Sequence, residues 1–155
     1  PIFLARQLGK HQVGLSWNEV SRRYVDEEPE FWKPRKWRAK PDDNIKQGSS
    51  GDLSEEDQVV VDDVYMNAID VCEGAYTQML EADVAPELAR MVLPQSMETQ
   101  IIWTGSLMAF AHVYNLRSGY HAQVEAQDFA AELDTIIRPL FPAAWEELTK
   151  VKVGN

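Results

Sequence analysis

The stretch GKHQVGLSWNEVSRRY, Gly9 to Tyr24, gathers Lys10, His11, Gln12, Asn18, Glu19, Ser21, Arg22 and Arg23 between apolar residues. These side chains suit a phosphorylated ligand. Cations hold phosphate, a carboxylate or hydroxyl meets a sugar or ring edge, and an imidazole changes charge near neutrality. Pattern alone leaves two readings open. As a helix start, Ser16-x-x-Glu19 is a capping box, and Glu19 with Arg23 is a surface pair worth only about 0.3–0.5 kcal/mol. As an extended segment, Glu19, Ser21 and Arg23 point to one side at intervals of roughly 6.5–7 Å. That row suits a ligand with a sugar, a ring and a phosphate.

Arg90 and Arg117 are the only cations between Lys46 and Arg138, and each sits among apolar neighbours, in ELARMVLP and VYNLRSGY. An arginine there must find anions or bear a desolvation cost. Either internal salt bridges satisfy them, or they are aimed at a phosphate and at the polar edge of a heterocycle. WKPRKWRAK interleaves five cations with Trp32 and Trp37. It reads as a loop anchored by its indoles, with anion steering or ligand stacking as the alternative.

The three histidines, His11, His112 and His121, match no zinc spacing, and no metal site is expected. His121 reads as a cap or packing residue. Cys72, the single cysteine, lies on an apolar helical face; it is expected in the core and not as a nucleophile. The acid pairs Glu55/Glu56 and Asp62/Asp63 read as a solvated face rather than a magnesium site.

These residues need elements to position them. Residues 2–8 are apolar and end at Gly9, which predicts a strand. Residues 9–40 read as a long loop with short extended pieces, and 40–52 as a polar, Gly/Ser-rich connection. Ser54 with Asp57 then caps a helix of about seven turns. Its expected apolar face is Val61, Val64, Tyr65, Ala68, Ile69, Cys72, Ala75, Tyr76, Met79 and Leu80. Pro86 opens a short helix that stops at Pro94. METQIIWTGSL predicts a strand turning at Gly105 into a helix ending near Arg117. HAQVEAQDFAAELDTIIRPL predicts an amphipathic helix with Phe129, Leu133, Ile136, Ile137 and Leu140 on one face, and a short helix follows Pro142.

The 155 residues fit one domain. Net charge is −10, yet residues 1–53 balance at +2 and residues 54–155 at −12. An acidic chain argues against non-specific nucleic-acid binding, while the basic third admits a phosphate-bearing ligand. No apolar run approaches the roughly 20 residues of a membrane span. One cysteine cannot form an internal disulfide, so a cytoplasmic location is expected.

NEVSRRY, ARMVLP, IWTGSL…NLR and HAQVE, in this order and spacing, resemble the flavin-dependent thymidylate synthases from about Phe3 to Trp145. The resemblance implies an α+β fold with an antiparallel sheet flanked by helices and a helix-rich C-terminal half. It implies methylation of deoxyuridylate (dUMP) to thymidylate, with methylenetetrahydrofolate as carbon donor and NADPH as reductant through FAD. It also implies a homotetramer with active sites at subunit interfaces, and a mechanism that needs no cysteine.

By position, Gln7, Lys10, Glu19, Ser21, Arg22, Arg23, Arg90 and Arg117 resemble the family's dUMP contacts. Arg117 and Ser21 are the implied catalytic residues, Arg117 by polarising the uracil. Lys10, His11, Gln12, Asn18, Glu19, Ser106, Met108 and His112 resemble flavin contacts. The chain departs from the pattern in several places. Lys10-His11-Gln12 replaces both arginines of the family's Arg-His-Arg. The spacing to Ser21 is one residue longer. Ser106-Leu107-Met108 stands for Asn-Ala-Arg. A His-rich region that precedes the first element in the family is expected to be missing. A diverged or truncated member that binds nucleotide and oligomerises without turnover is the alternative.

Overall fold

The computed structural model describes residues 1–20, 28–41 and 48–150. The chain divides into two compact units. One comprises Pro1–Ala5, Glu19–Arg38 and Gly51–Ile101; the other comprises Arg6–Asn18, Ala39–Ser50 and Ile102–Asn155.

The chain begins with a helix, α1 (Ile2–Leu8), where the apolar run predicts a strand. Leu, Ala, Arg and Gln are strong helix formers, and this outweighs a run too short to show a period. The first N–H groups, which have no partner within a helix, are satisfied from outside it. Ile2 donates to the Met97 carbonyl at 2.9 Å and Phe3 to that of Gln95 at 3.0 Å.

Strand β1 (Leu15–Glu19) pairs antiparallel with β2 (Ile101–Gly105). The extended reading therefore holds for the described part of the Ser16–Tyr24 stretch. Trp17 and Trp103 face each other across the ladder, edge to face, with ring centroids 5.3 Å apart. Trp103 also packs edge-on to Phe110 and beside Phe129. The close end of the pair needs glycine. A Cβ on Gly105 would lie 2.4 Å from Leu15 Cδ2 and 2.8 Å from the Gly14 carbonyl oxygen, and Gly14 has φ of +73°.

In the first unit α2 (Glu55–Glu81) starts at Ser54, whose hydroxyl accepts from Asp57 N–H. Ile69 and Tyr76 are its buried residues, while Val64 and Ala68 of the expected apolar face are exposed. Cys72 is half-buried rather than core. The helix ends in a Schellman motif: Val84 N–H donates to Met79 and Asp83 N–H to Leu80, with Asp83 at φ +58°. A short α3 (Pro86–Ala89) and a 3-10 turn (Arg90–Val92) pack on α2.

The Trp-rich loop is anchored as expected. Trp32 lies edge-on to Phe3, and Trp37 lies edge-on to Tyr65 and donates to Asp62. Asp62 also binds Lys33 at 2.9 Å and is not a simply solvated acid.

In the second unit α4 (Leu107–Arg117), α5 (Val124–Leu140) and α6 (Pro142–Thr149) pack together. Ala111, Ile137 and fully buried Trp145 form their core. Trp145 Nε1–H donates to Asp134 at 2.7 Å, and the same carboxylate holds Arg138. Helix α5 starts at Val124, three residues after His121. His121 instead lies tilted against exposed Tyr120, with ring centroids 3.6 Å apart. Ile136 and Leu140, expected on the inner face of α5, are exposed. Among the described residues no helix is long and apolar enough to cross a membrane.

Candidate functional site

Helix α4 is the main carrier of site residues. Its start is set by Ser106, whose hydroxyl oxygen accepts from Ala109 N–H at 3.2 Å, while Ser106 N–H donates to the Gly14 carbonyl at 3.1 Å. The cap uses an oxygen lone pair and leaves the hydroxyl proton available. One turn apart, Met108 and His112 are both exposed. Arg117 ends the helix and is half-buried.

Arg117 is held from the segment that follows α1. Its Nε–H donates to His11 Nε2 at 3.0 Å, and a terminal N–H reaches the Gln7 carbonyl at 3.4 Å. Because Nε2 accepts, the proton of neutral His11 sits on Nδ1. Burial first, then the charges of Arg117 and His112, hold the His11 pKa below its ordinary value. The His11 and His112 rings meet edge to face, with centroids 6.2 Å apart.

Gln7 contributes a second feature: its side-chain Oε1 is buried with no hydrogen-bond partner among the described residues. Lys10, Gln12 and Asn18 are exposed. So the second unit gathers Gln7, His11, His112 and Arg117 by direct contact, and also carries Lys10 and Gln12 beside His11 in sequence, Asn18 on β1, and Ser106 and Met108 at the start of α4.

Glu19 and Arg90 belong to the first unit. Glu19 accepts from Thr99 Oγ1 at 2.9 Å. Arg90 donates from Nε to the Glu87 carbonyl at 3.2 Å, closing its own helical turn. Among the described residues neither Arg90 nor Arg117 forms an ion pair with a carboxylate. The internal-salt-bridge reading therefore finds no support there, and each guanidinium keeps unassigned N–H groups. Ser21, Arg22 and Arg23 lie outside the described residues.

Two partners had no signal in the sequence. Thr99 meets Glu19 across 80 positions, and the His11–Arg117 bond spans 106. Only the strand pairing and the helix end bring these residues together.

In fold the protein is α+β, with one antiparallel strand pair among the described residues and a helix-rich second half. Its candidate site in the second unit brings together a guanidinium, two imidazoles and an amide. The chain belongs to the family described as thymidylate synthase complementing protein, which matches residues 1–143. It is 33% identical over 157 residues to the flavin-dependent thymidylate synthase of Thermosipho africanus, covering 97% of this chain and 65% of that protein. With a flavin-dependent thymidylate synthase of Thermus thermophilus it shares 37% identity over 145 residues, covering 94% and 52%. The chain thus spans between about half and two thirds of these relatives. A crystal structure of a UMP/dUMP methylase, PolB, from Streptomyces cacaoi bound with 5-Br UMP is similar at a TM-score of 0.88 and 28% identity. That likeness covers 97% of this chain and 70% of PolB.

Proposed function

We propose that the protein methylates dUMP to thymidylate in a flavin-dependent reaction, with methylenetetrahydrofolate as carbon donor and NADPH as reductant through FAD. The observation that carries this reading is Arg117: a half-buried guanidinium, held by a neutral imidazole and a carbonyl, with no carboxylate among the described residues to take its charge. Its remaining N–H groups form a planar fork, suited to two acceptors on a uracil edge. A fixed cation there stabilises negative charge developing on the pyrimidine as C5 becomes nucleophilic. Arg90, with Arg23, supplies phosphate contacts. Glu19 and Ser21 meet the sugar and ring.

The residues fit a flavin. An isoalloxazine offers several acceptors and one ring N–H. Lys10, Gln12 and Asn18 bring exposed donors, and Gln7 Oε1 is a buried acceptor lacking a donor among the described residues. Lys10, His11, Gln12, Asn18, Ser106, Met108 and His112 would hold the cofactor, and Glu19 is proposed as a further contact. FAD, when bound, carries reducing equivalents from NADPH. The chain's own share is to orient and polarise the nucleotide. The working form is a homotetramer whose active sites draw on more than one subunit.

The test is NADPH oxidation with added FAD and methylenetetrahydrofolate, with and without dUMP. Oxidation that depends on dUMP and yields thymidylate is the expected result. A second reading rests on Lys10 and Gln12 standing where the family carries arginines: a member that binds nucleotide without turnover. Colourless protein that takes up dUMP but no FAD would favour it.

A further inference from the structure

We infer that His11 is a positioning residue for Arg117: its bare Nε2 lone pair fixes the guanidinium plane, and protonating the imidazole releases it. The inference rests on the reading of Arg117 as the cation that meets the pyrimidine.

Arg117 has one Nε–H, and the acceptor it meets is the main constraint on the rotation of the fork about the end of its stem. It is spent on His11 at 3.0 Å, whereas the second anchor, to the Gln7 carbonyl, is long at 3.4 Å. The choice of anchor matters. A carboxylate would hold the arginine more strongly but cancel the charge the site needs. A neutral imidazole nitrogen orients the fork and leaves the full positive charge to act on a ligand.

The same arrangement has a built-in failure. Imidazolium carries N–H on both nitrogens, so Nε2 would present a proton to a proton, and two cations would stand in contact. The charged or titratable groups facing His11 among the described residues are Arg117 and His112, both on α4; Lys10, its neighbour in sequence, is exposed. Burial, and then the electrostatics of Arg117 and His112, disfavour a positive charge on His11. The neutral pair is therefore complete above the ordinary histidine value of 6.5 and is lost as pH falls through the lowered value of the folded protein.

Two measurements test this. Nitrogen-15 NMR on protein labelled at histidine and arginine, without nucleotide, should find His11 Nε2 unprotonated at pH 7.5, and the Arg117 Nε–H slow to exchange. Both signatures should vanish together in acid. Binding of dUMP by calorimetry from pH 7.5 to 5 should then weaken by roughly tenfold more in the wild type than in His11→Gln. The glutamine offers an acceptor oxygen that does not titrate. Ionisation of the dUMP phosphate enters both profiles equally and drops out of the comparison. His11→Gln should also bind more tightly than His11→Ala, and if the alanine variant fails to fold the glutamine comparison still decides. A proton on Nε2 at pH 7.5, coincident profiles, or tighter binding in acid would overturn the inference. Should the NMR signatures appear while Arg117→Lys binds dUMP normally, the positioning stands and the role given to Arg117 falls.

Discussion

Arg117→Lys keeps a positive charge and loses the planar fork, so the pyrimidine can no longer be held at two acceptors at once. Turnover should fall by roughly 10²–10³, the scale of losing one preorganised donor, read from steady-state dUMP-dependent NADPH oxidation. Cys72→Ala removes a half-buried sulfur from a helix face. It should cost at most about 1–2 kcal/mol in a denaturant melt and leave activity per folded molecule intact. If the cysteine change abolishes the reaction and the arginine change does not, the chemistry runs through a thiolate. Arg117 could be singled out in sequence because a lone cation among apolar neighbours needs a reason. Its partners could not, since nothing local marks His11 as an acceptor 106 positions away. Glu19 is singled out in sequence by its alternation with Ser21 and Arg23, which lie outside the described residues, and its bond to Thr99 follows from strand pairing and has no motif.

Helix α2 ends with Asp83 in the left-handed region at φ +58°, where its side chain is strained and its charge opposes the helix dipole. Asp83→Gly should therefore stabilise the protein by about 0.5–1 kcal/mol, seen as a higher melting temperature. The opposite is expected of Gly105→Ala, where the new Cβ meets Leu15 at 2.4 Å; a loss of about 1–3 kcal/mol is the scale of overpacking. Between α5 and α6, Asp134 is the acceptor for fully buried Trp145. Asp134→Ala leaves that N–H unpaired, at about 1–3 kcal/mol. Arg138, and then Trp145, hold the Asp134 pKa below its ordinary 3.8. Its contribution is thus full above that value and lost as pH falls through the lower folded one, so Asp134→Asn should show a shallower acid limb in a pH-dependent melt. Long helices with caps and prolines were readable: Ser54, Pro86, Gly105 and Pro142 all mark real boundaries. Residues 2–8 were not, because seven residues are too few to separate the two periods and propensity decided the matter.

Across the whole molecule, Val60, Val64 and Val71 recur along one side of α2 and are 56%, 65% and 72% exposed. A chain of net charge −10 leaving such a stripe uncovered is expected to cover it in an assembly. Light scattering at micromolar concentration should give a tetramer, and Val64→Lys with Val71→Lys should give smaller species of unchanged helicity. A stable wild-type monomer would count heavily against shared active sites. The edge-to-face pair of Trp17 and Trp103 has an optical consequence as well. Indoles at that distance couple their transition dipoles, so the pair should give a split circular-dichroism band of its own. That band reports whether β1 and β2 stand in register, it needs no label, and it should disappear in Trp17→Phe while the helical signal stays.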